Sequence, residues 1–423
     1  MRYPLLSAAL GCLPVLCSAQ ETLSLDEALR LAKEHNGTIR SAQMAVRIAG
    51  SQVKRAEASF YPSVTPRYRW NSTRTESSTS PGNQSDETSS SFLEASWRIL
   101  DSGERSLTWR GAKKGLEAER FAALQTLRET LFGVHRQYYD TLRADELQKV
   151  AKARHDRAKL ILKQTIARVE LGDAPAKDIL QAEADALNAE VQVVEGETQK
   201  SNASANLKAM IGLPPEKRLP ELVAMKEPPA GPPLAPFEVV SEQGVGNRPD
   251  LVARRLGLES TDFAWRRQRR EASWTFGLDG VMDHQFTPDR IQDRKLNFVA
   301  SYPLFDGGAL REIARETEYR LAAGREDLVQ AERQALAEIE GAYAEVKQNR
   351  TRLTAARKAE EAALKNYNAA VEAQRLGAGD LVEVLTAQVS LVTAESNAIE
   401  ALYDLLISDV RLALVTGEPL RGE

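Results

Sequence analysis

Ser96-Trp97-Arg98-Ile99-Leu100-Asp101-Ser102-Gly103 returns later in the chain as Ser301-Tyr302-Pro303-Leu304-Phe305-Asp306-Gly307-Gly308. Each copy runs from an apolar stretch into an Asp-Gly turn. The two aspartates are 306 − 101 = 205 positions apart. Leu171-Gly172 and Leu376-Gly377 keep that offset (376 − 171 = 205), as do Asp178-Ile179-Leu180 and Glu383-Val384-Leu385 (383 − 178 = 205). Gly212-Leu213-Pro214 and Gly417-Glu418-Pro419 keep it once more (417 − 212 = 205). A constant offset across separated motifs leaves no net insertion between them, so the chain reads as one structural unit written twice. Upstream the register slips: Asn36 matches Asn247, and 247 − 36 = 211. The slip falls across a polar loop, Ser72 to Ser90, longer than its counterpart near Thr287 to Asp293, and loop tips are where insertions are tolerated. The predicted repeats are 20–213 and 237–423, joined by a stiff Pro-rich linker, 214–236, that contains Pro228-Pro229 and Pro232-Pro233.

Beyond each Asp-Gly turn lies a helical pattern of great length. Glu104 to Val169 contains no proline, and neither does Ala309 to Arg375. At 1.5 Å per residue each stretch reaches on the order of 100 Å, longer than any compact domain accommodates. Both end at the Leu-Gly motif and reverse into a second helix, Lys177 to Met210 and Leu381 to Val415, so two long antiparallel hairpins are predicted over 104–210 and 309–415. Alanines interleave with larger apolar residues (Ala359, Ala362, Ala363, Tyr367, Ala370, Val371), which suits close coiled-coil packing.

Before each turn the period changes to two. Val64, Pro66, Tyr68 and Trp70 alternate with Thr65, Arg67, Arg69 and Asn71, and Leu93, Ala95, Trp97 and Ile99 with Glu94, Ser96 and Arg98. The second half repeats the pattern with Trp274, Phe276 and Leu278, then Leu296, Phe298, Ala300 and Tyr302. These predict β-hairpins within 60–100 and 273–305. A strand of roughly ten residues is long enough to cross a bilayer when tilted, and alternation with aromatic ends suits a membrane barrel. Four strands cannot close a lipid-spanning barrel, because open edges are not tolerated in hydrocarbon. Either the sheet is soluble, or several chains share a barrel. Ahead of the first hairpin, Leu23 to about Glu57 reads as one helix, with Ser24 before Asp26-Glu27 as its start.

Composition narrows the function. The 423 residues are 27% charged and only 6% aromatic, with a formal net charge of −4, which offers no nucleic-acid footprint. Residues 1–19 read as an export signal: Arg2, an apolar stretch from Leu5 to Leu16, then Cys17-Ser18-Ala19 before Gln20. Both cysteines, Cys12 and Cys17, lie inside it, so the mature chain needs no disulfide and has no thiolate chemistry. Acylation of one of them is the alternative reading; Ala9-Leu10-Gly11 before Cys12 fits it better than Pro14-Val15-Leu16 before Cys17. His35, His135, His155 and His284 have no metal-ligand spacing. There is no phosphate-binding P-loop, so no nucleotide cofactor is expected and energy has to come from a partner.

In this order, the elements resemble the TolC-like outer-membrane efflux and secretion family. Asn247-Arg248-Pro249-Asp250-Leu251 is similar to the family's Asn-Pro-Glu-Leu near a repeat start, whereas Asn36-Gly37-Thr38-Ile39 departs from it. Tyr302-Pro303-Leu304-Phe305-Asp306-Gly307-Gly308 resembles the strand-to-helix turn, and Leu376-Gly377 through Val384-Leu385-Thr386-Ala387-Gln388 the tip hairpin. The resemblance implies a mainly α chain with a membrane β-barrel: a homotrimer in the outer membrane, four strands per chain closing a twelve-stranded barrel above a hollow periplasmic tunnel. It implies a periplasmic adaptor and an inner-membrane pump as partners, and an exit duct rather than an enzyme.

The family also implies where the sites lie. An acidic pair three residues apart lines the narrow periplasmic end; Glu383 holds the first position, Thr386 stands at the second, and Asp178 is the repeat equivalent of Glu383. Crowded carboxylates attract cations, although an acid in a helix's first turn is also favoured by the macrodipole alone. Leu171, Gly172, Leu376, Gly377 and Gly379 form the tip turns, candidates for adaptor contact, and their glycines also serve simply to end a helix. Asp101 with Gly103, and Asp306 with Gly308, are expected to cap the long helices. A periplasmic coiled-coil adaptor or structural protein without a pore is the competing reading, favoured if the alternating strands prove soluble; a cytosolic coiled-coil scaffold explains the helices but neither the export signal nor the strands.

Overall fold

The computed structural model of the protein describes residues 22–75, 84–224 and 234–423. The expected export signal with Cys12 and Cys17, the tip of the first polar loop, and Pro228–Pro233 of the linker lie outside the described residues.

The chain begins with a two-residue strand β1 (Thr22–Leu23) and helices α1 (Leu25–His35) and α2 (Gly37–Ala58). Strands β2 (Ser63–Thr75) and β3 (Gln84–Leu100) follow, then α3 (Glu104–Glu170) and α4 (Lys177–Ile211). A second short strand β4 (Glu221–Leu222) precedes α5 (Phe237–Asn247), α6 (Pro249–Glu271), β5 (Thr275–Thr287), β6 (Ile291–Ser301), α7 (Ala309–Arg375) and α8 (Leu381–Val415). The α3 and α7 helices have 67 residues each, and α4 and α8 have 35 each. The length and position of these four helices agree with the sequence reading to within a residue.

The single helix expected from Leu23 to Glu57 is broken. Ser24 does cap α1, its hydroxyl accepting the Glu27 N–H at 3.3 Å. At Asn36 the backbone turns extended, and the side chain accepts the N–H groups of Thr38 (2.8 Å) and Ile39 (3.3 Å) while donating to Met210 O (2.9 Å). Asn36 therefore ends α1 and starts α2, a side-chain substitute for the helical hydrogen bonds that periodicity alone does not reveal. In the second half Arg248 is the extended residue between α5 and α6, with Pro249 fixing the first turn of α6.

The main core lies halfway along α3, not at an end. Leu131, Val134, Tyr138, Tyr139 and Leu142 meet Ala28, Leu29 and Ala32 of α1, Leu207 and Ile211 of α4, Tyr403 and Leu406 of α8, and Leu420 of the C-terminal tail. The β1 and β4 strands pair in parallel over this cluster, and the Tyr138 hydroxyl donates to Leu23 O (3.0 Å) and Val223 O (3.2 Å). Elsewhere the helices form a thin wall in which alanines allow close approach: Ala158, Ala186 and Ala189 make one such contact between α3 and α4.

The β2, β3, β5 and β6 strands form one antiparallel sheet in that order. The loop expected at Ser72–Ser90 is largely strand, because β2 runs to Thr75 and β3 starts at Gln84. Ser and Thr satisfy the ladder there as well as apolar residues do, so the polar composition concealed the strand. The pairing of β3 with β5 joins the two halves into one sheet.

Candidate functional site

Register decides the chemistry of the sheet. Val64 opposes Ala95, Ala95 opposes Gly280, and Gly280 opposes Leu296. In neighbouring rows Pro66 meets Leu93 and Leu93 meets Met282, and Trp97 meets Leu278, which meets Phe298. Residues directly opposed share a face, so one side of the sheet is apolar. The other carries Thr65–Glu94, Ser96–Asp279–Asn297 and Arg67, which pairs with Glu94 at 3.2 Å. Among the described residues nothing covers the apolar face: Tyr68 is 68% exposed, Leu296 74% and Phe298 65%. Trp274, Phe276, Phe298 and Tyr302 form an aromatic cluster near its helical end, with centroids 5.2–6.0 Å apart.

The sheet passes into the long helices through two matching turns. Gly103 (φ +85°) and Gly308 (φ +90°) hold the N-cap positions in the left-handed region, so the cap comes from the aspartate two residues earlier. The Asp101 carboxylate accepts the N–H groups of Gly103 (3.2 Å) and Arg105 (3.1 Å), and Asp306 accepts those of Gly308 (2.9 Å) and Leu310 (2.8 Å). The Leu310 and Gly308 N–H groups hold the Asp306 carboxyl below the usual carboxylate range. Asp101 is buried and also binds the Arg105 guanidinium, whereas Asp306 is exposed.

At the opposite end, α3 and α7 stop in the same way. The N–H of Gly172 donates to Val169 O (3.0 Å) and that of Asp173 to Arg168 O (2.8 Å); Gly377 donates to Gln374 O (3.1 Å) and Ala378 to Ala373 O (2.9 Å). This double bond around a left-handed glycine satisfies carbonyls that the helix end leaves free, with φ +81° at Gly172 and +75° at Gly377. Leu171 and Leu376 project from the tips, 77% and 67% exposed. Asp380 caps α8 by accepting the Glu383 N–H at 2.8 Å, while α4 has no side-chain cap.

Glu383 and Thr386 are both exposed, one turn apart on α8, and the Thr386 hydroxyl donates to Val382 O at 2.7 Å. Asp178 is half-buried in the first turn of α4. Beneath them Ile161 and Ala182 of the first hairpin pack on Ala370, Leu381, Val384 and Ala387 of the second, so the two tips form one body. Gly379 keeps this turn tight; a Cβ there would lie 3.1 Å from Glu383 Oε2 and 3.3 Å from the Ala373 Cβ.

Polar ties between the hairpins escaped the sequence reading. Asp404 of α8 accepts from Arg143 of α3 (3.0 Å) and Arg352 of α7 (2.7 Å), and Glu395 accepts from Arg157 (3.1 Å). Nearer the tips, buried Arg154 binds Asp185 (3.1 Å) and Gln192 of α4, and its carbonyl accepts from buried Gln388 of α8 at 3.4 Å. The partners that cross between hairpins, Arg143–Asp404, Arg157–Glu395 and Arg154–Gln388, are more than two hundred positions apart and leave no local signal. Among the described residues no group of three or more His, Cys, Asp or Glu side chains is placed to hold a metal ion, and no helix is long and apolar enough to cross a membrane.

A long double hairpin carrying a bare apolar sheet defines a class, and comparison with known proteins identifies it. The model of the family described as outer membrane efflux protein matches residues 28–213 and again 245–418, and the chain belongs to that family. Its place is accordingly the outer membrane, with a large periplasmic portion. Among its relatives, the outer membrane efflux protein BepC of Brucella suis biovar 1 (strain 1330) is 22% identical over 98% of this chain and 90% of its own length. The outer membrane protein TolC of Vibrio cholerae serotype O1 is 24% identical over 97% and 94%. In fold, the chain is similar to the outer-membrane channel OprN (TM-score 0.80, 18% identity, 94% of this chain and 90% of that one). It is equally similar to the Campylobacter jejuni CmeC outer membrane channel (TM-score 0.80, 16% identity, 99% and 93%).

Proposed function

We propose that three copies of this chain form a passive exit duct for a tripartite efflux or type I secretion system, receiving substrate from an inner-membrane pump through a periplasmic adaptor. The uncovered apolar face of an open four-stranded sheet carries this reading. Among the described residues its outer strands, β2 and β6, have unpaired edges, and they run in opposite directions, so β6 of one copy can pair antiparallel with β2 of the next. Three copies then close twelve strands with lipid outside and the polar face inside, which removes every edge from the hydrocarbon. The long helices continue the wall as a periplasmic tunnel. At its far end, three copies each of Glu383 and Asp178 constrict the passage as an acidic ring, and Thr386 lines the next turn. The tip turns at Leu171-Gly172 and Leu376-Gly377-Ala378-Gly379 meet the adaptor, with exposed Leu171 and Leu376 as apolar contacts.

The double variant Glu383→Ala/Asp178→Ala tests the constriction. It is expected to raise single-channel conductance and to lower the preference for K⁺ over Cl⁻. Conductance and selectivity equal to wild type would remove the acidic ring from the account.

A further inference from the structure

Just past the strand–helix junctions the chain turns basic. The ten residues of each helix nearest the sheet (49–58, 104–113, 262–271 and 309–318) hold eleven Lys and Arg against seven Asp and Glu, so 11 − 7 = +4 in a chain whose total is −4. The α6 helix points Ser260, Arg267 and Arg270 at the start of α3: Ser260 donates to Gly111 O (2.9 Å), Arg267 pairs with Glu104 (3.4 Å), and Arg270 donates to Ser102 O (3.2 Å). Leu258 faces Gly324 of α7. The broad arc between these contacts carries Asp262, Arg266 and Arg269. On α3, Gly111 and Gly115 face α6 and Arg105 reaches Ser59 O beyond α2 (3.2 Å), leaving an arc with Arg110 and Lys113.

Each arc is bordered by a tryptophan with a cation four residues later folded over it. Lys113 Nζ lies 3.6 Å from the Trp109 ring centroid, and Arg269 Cζ lies 5.1 Å from that of Trp265. Both indole N–H groups are buried, and among the described residues neither has an acceptor. Lys114 and Arg266 are engaged by Glu117, Glu259 and Asp262. Arg110, Lys113 and Arg269 are exposed, and among the described residues no carboxylate pairs with them.

We infer that this collar binds the phosphodiester headgroups of anionic phospholipids in the periplasm-facing leaflet, an inference that rests on the barrel proposed above. The headgroup layer is roughly 5–8 Å deep on each side of the hydrocarbon. Trp109 and Arg110 lie some six to seven residues past the junction, about 9–10 Å along α3, and side chains on a helix lean toward its N-terminus, here toward the membrane. Arg269 sits in the last turn of α6, next to the sheet. Unpaired cations beside amphipathic rings are the chemistry that holds a lipid phosphate at such a boundary.

The mature trimer, purified in detergent, would be equilibrated with phosphatidylglycerol or phosphatidylcholine, and retained lipid counted by native mass spectrometry. Wild type should keep phosphatidylglycerol in preference by about tenfold or more, less so at high salt. Arg110→Gln/Lys113→Gln/Arg269→Gln should lose that preference while conducting normally in a phosphatidylcholine bilayer. Equal retention of the two lipids, or an unchanged preference in the triple variant, would overturn the inference. So would displacement of the lipid by equimolar inorganic phosphate, which would mark an adventitious anion site only. A wild type that neither trimerises nor conducts is a different failure, and it would remove the barrel and the collar together.

Discussion

Gly172 and Gly377 show how little at the tips depends on space and how much on backbone. A Cβ added at either meets nothing within 4 Å, yet both sit at positive φ. Gly377→Ala should therefore cost only the left-handed strain, about 1–2 kcal/mol. The cost should appear as faster hydrogen exchange around residues 370–380 with the rest of the molecule unchanged. At the other end, the two capping aspartates are unequal despite their matching motifs. Asp101→Ala removes a cap and leaves Arg105 without its buried partner, a loss of about 1–3 kcal/mol. Asp306→Ala removes a cap at an exposed turn and leaves no buried charge behind. Thermal melts of the two variants should show the larger fall for Asp101→Ala; equal falls would contradict this account of the turns. Both aspartates stood out in the sequence because each opens a long proline-free run. Their inequality did not, because Asp101 is paired with Arg105, whose guanidinium is held in turn by Ser59 O just past α2, a contact that depends on how α2 returns.

At the scale of elements, the four long helices were legible because nothing local competes with them: no proline inside, helix-forming residues, and a glycine just past each C-terminus (Gly172, Gly212, Gly377 and Gly417). The break at Asn36 was hidden because Asn breaks a helix only when its side chain finds the right partners, and one of these, Met210 O, is 174 positions away. Strand pattern was readable wherever apolar and polar residues alternate, and unreadable where Ser and Thr fill both faces. The ties between hairpins belong to this scale too. Asp404 holds α3 and α7 together through Arg143 and Arg352, in a setting about one-third exposed. Asp404→Ala should destabilise the chain by only about 1 kcal/mol, as solvent screens the pair. Hydrogen exchange should nevertheless rise in α8 near residues 395–408, where the tie to both neighbours is lost. Unchanged exchange there would mean that apolar packing alone joins the hairpins.

For the whole molecule, stability centres on the cluster midway along α3, and a buried histidine of α3 lies beside it, its ring 6.5 Å from that of Tyr139. Burial pushes the His135 imidazole below its ordinary value, with Arg421 adding to this, while the bond to Leu131 O and the charge of Asp26 oppose it. A base depressed in the folded state is protonated more readily in the unfolded one, so stability falls as pH drops below about 6.5. His135→Gln should flatten the decline in melting temperature between pH 7.5 and 5.5; a slope identical to wild type would assign the pH response elsewhere.

The central claim is that the bare apolar sheet becomes a membrane barrel when three chains meet. Its most direct test is single-channel recording of the purified mature protein in a planar bilayer, alongside its mass in detergent. Discrete, cation-selective openings from a trimer are the predicted result. A monomer that stays soluble without detergent and never conducts would contradict it, leaving a periplasmic coiled-coil protein without a pore.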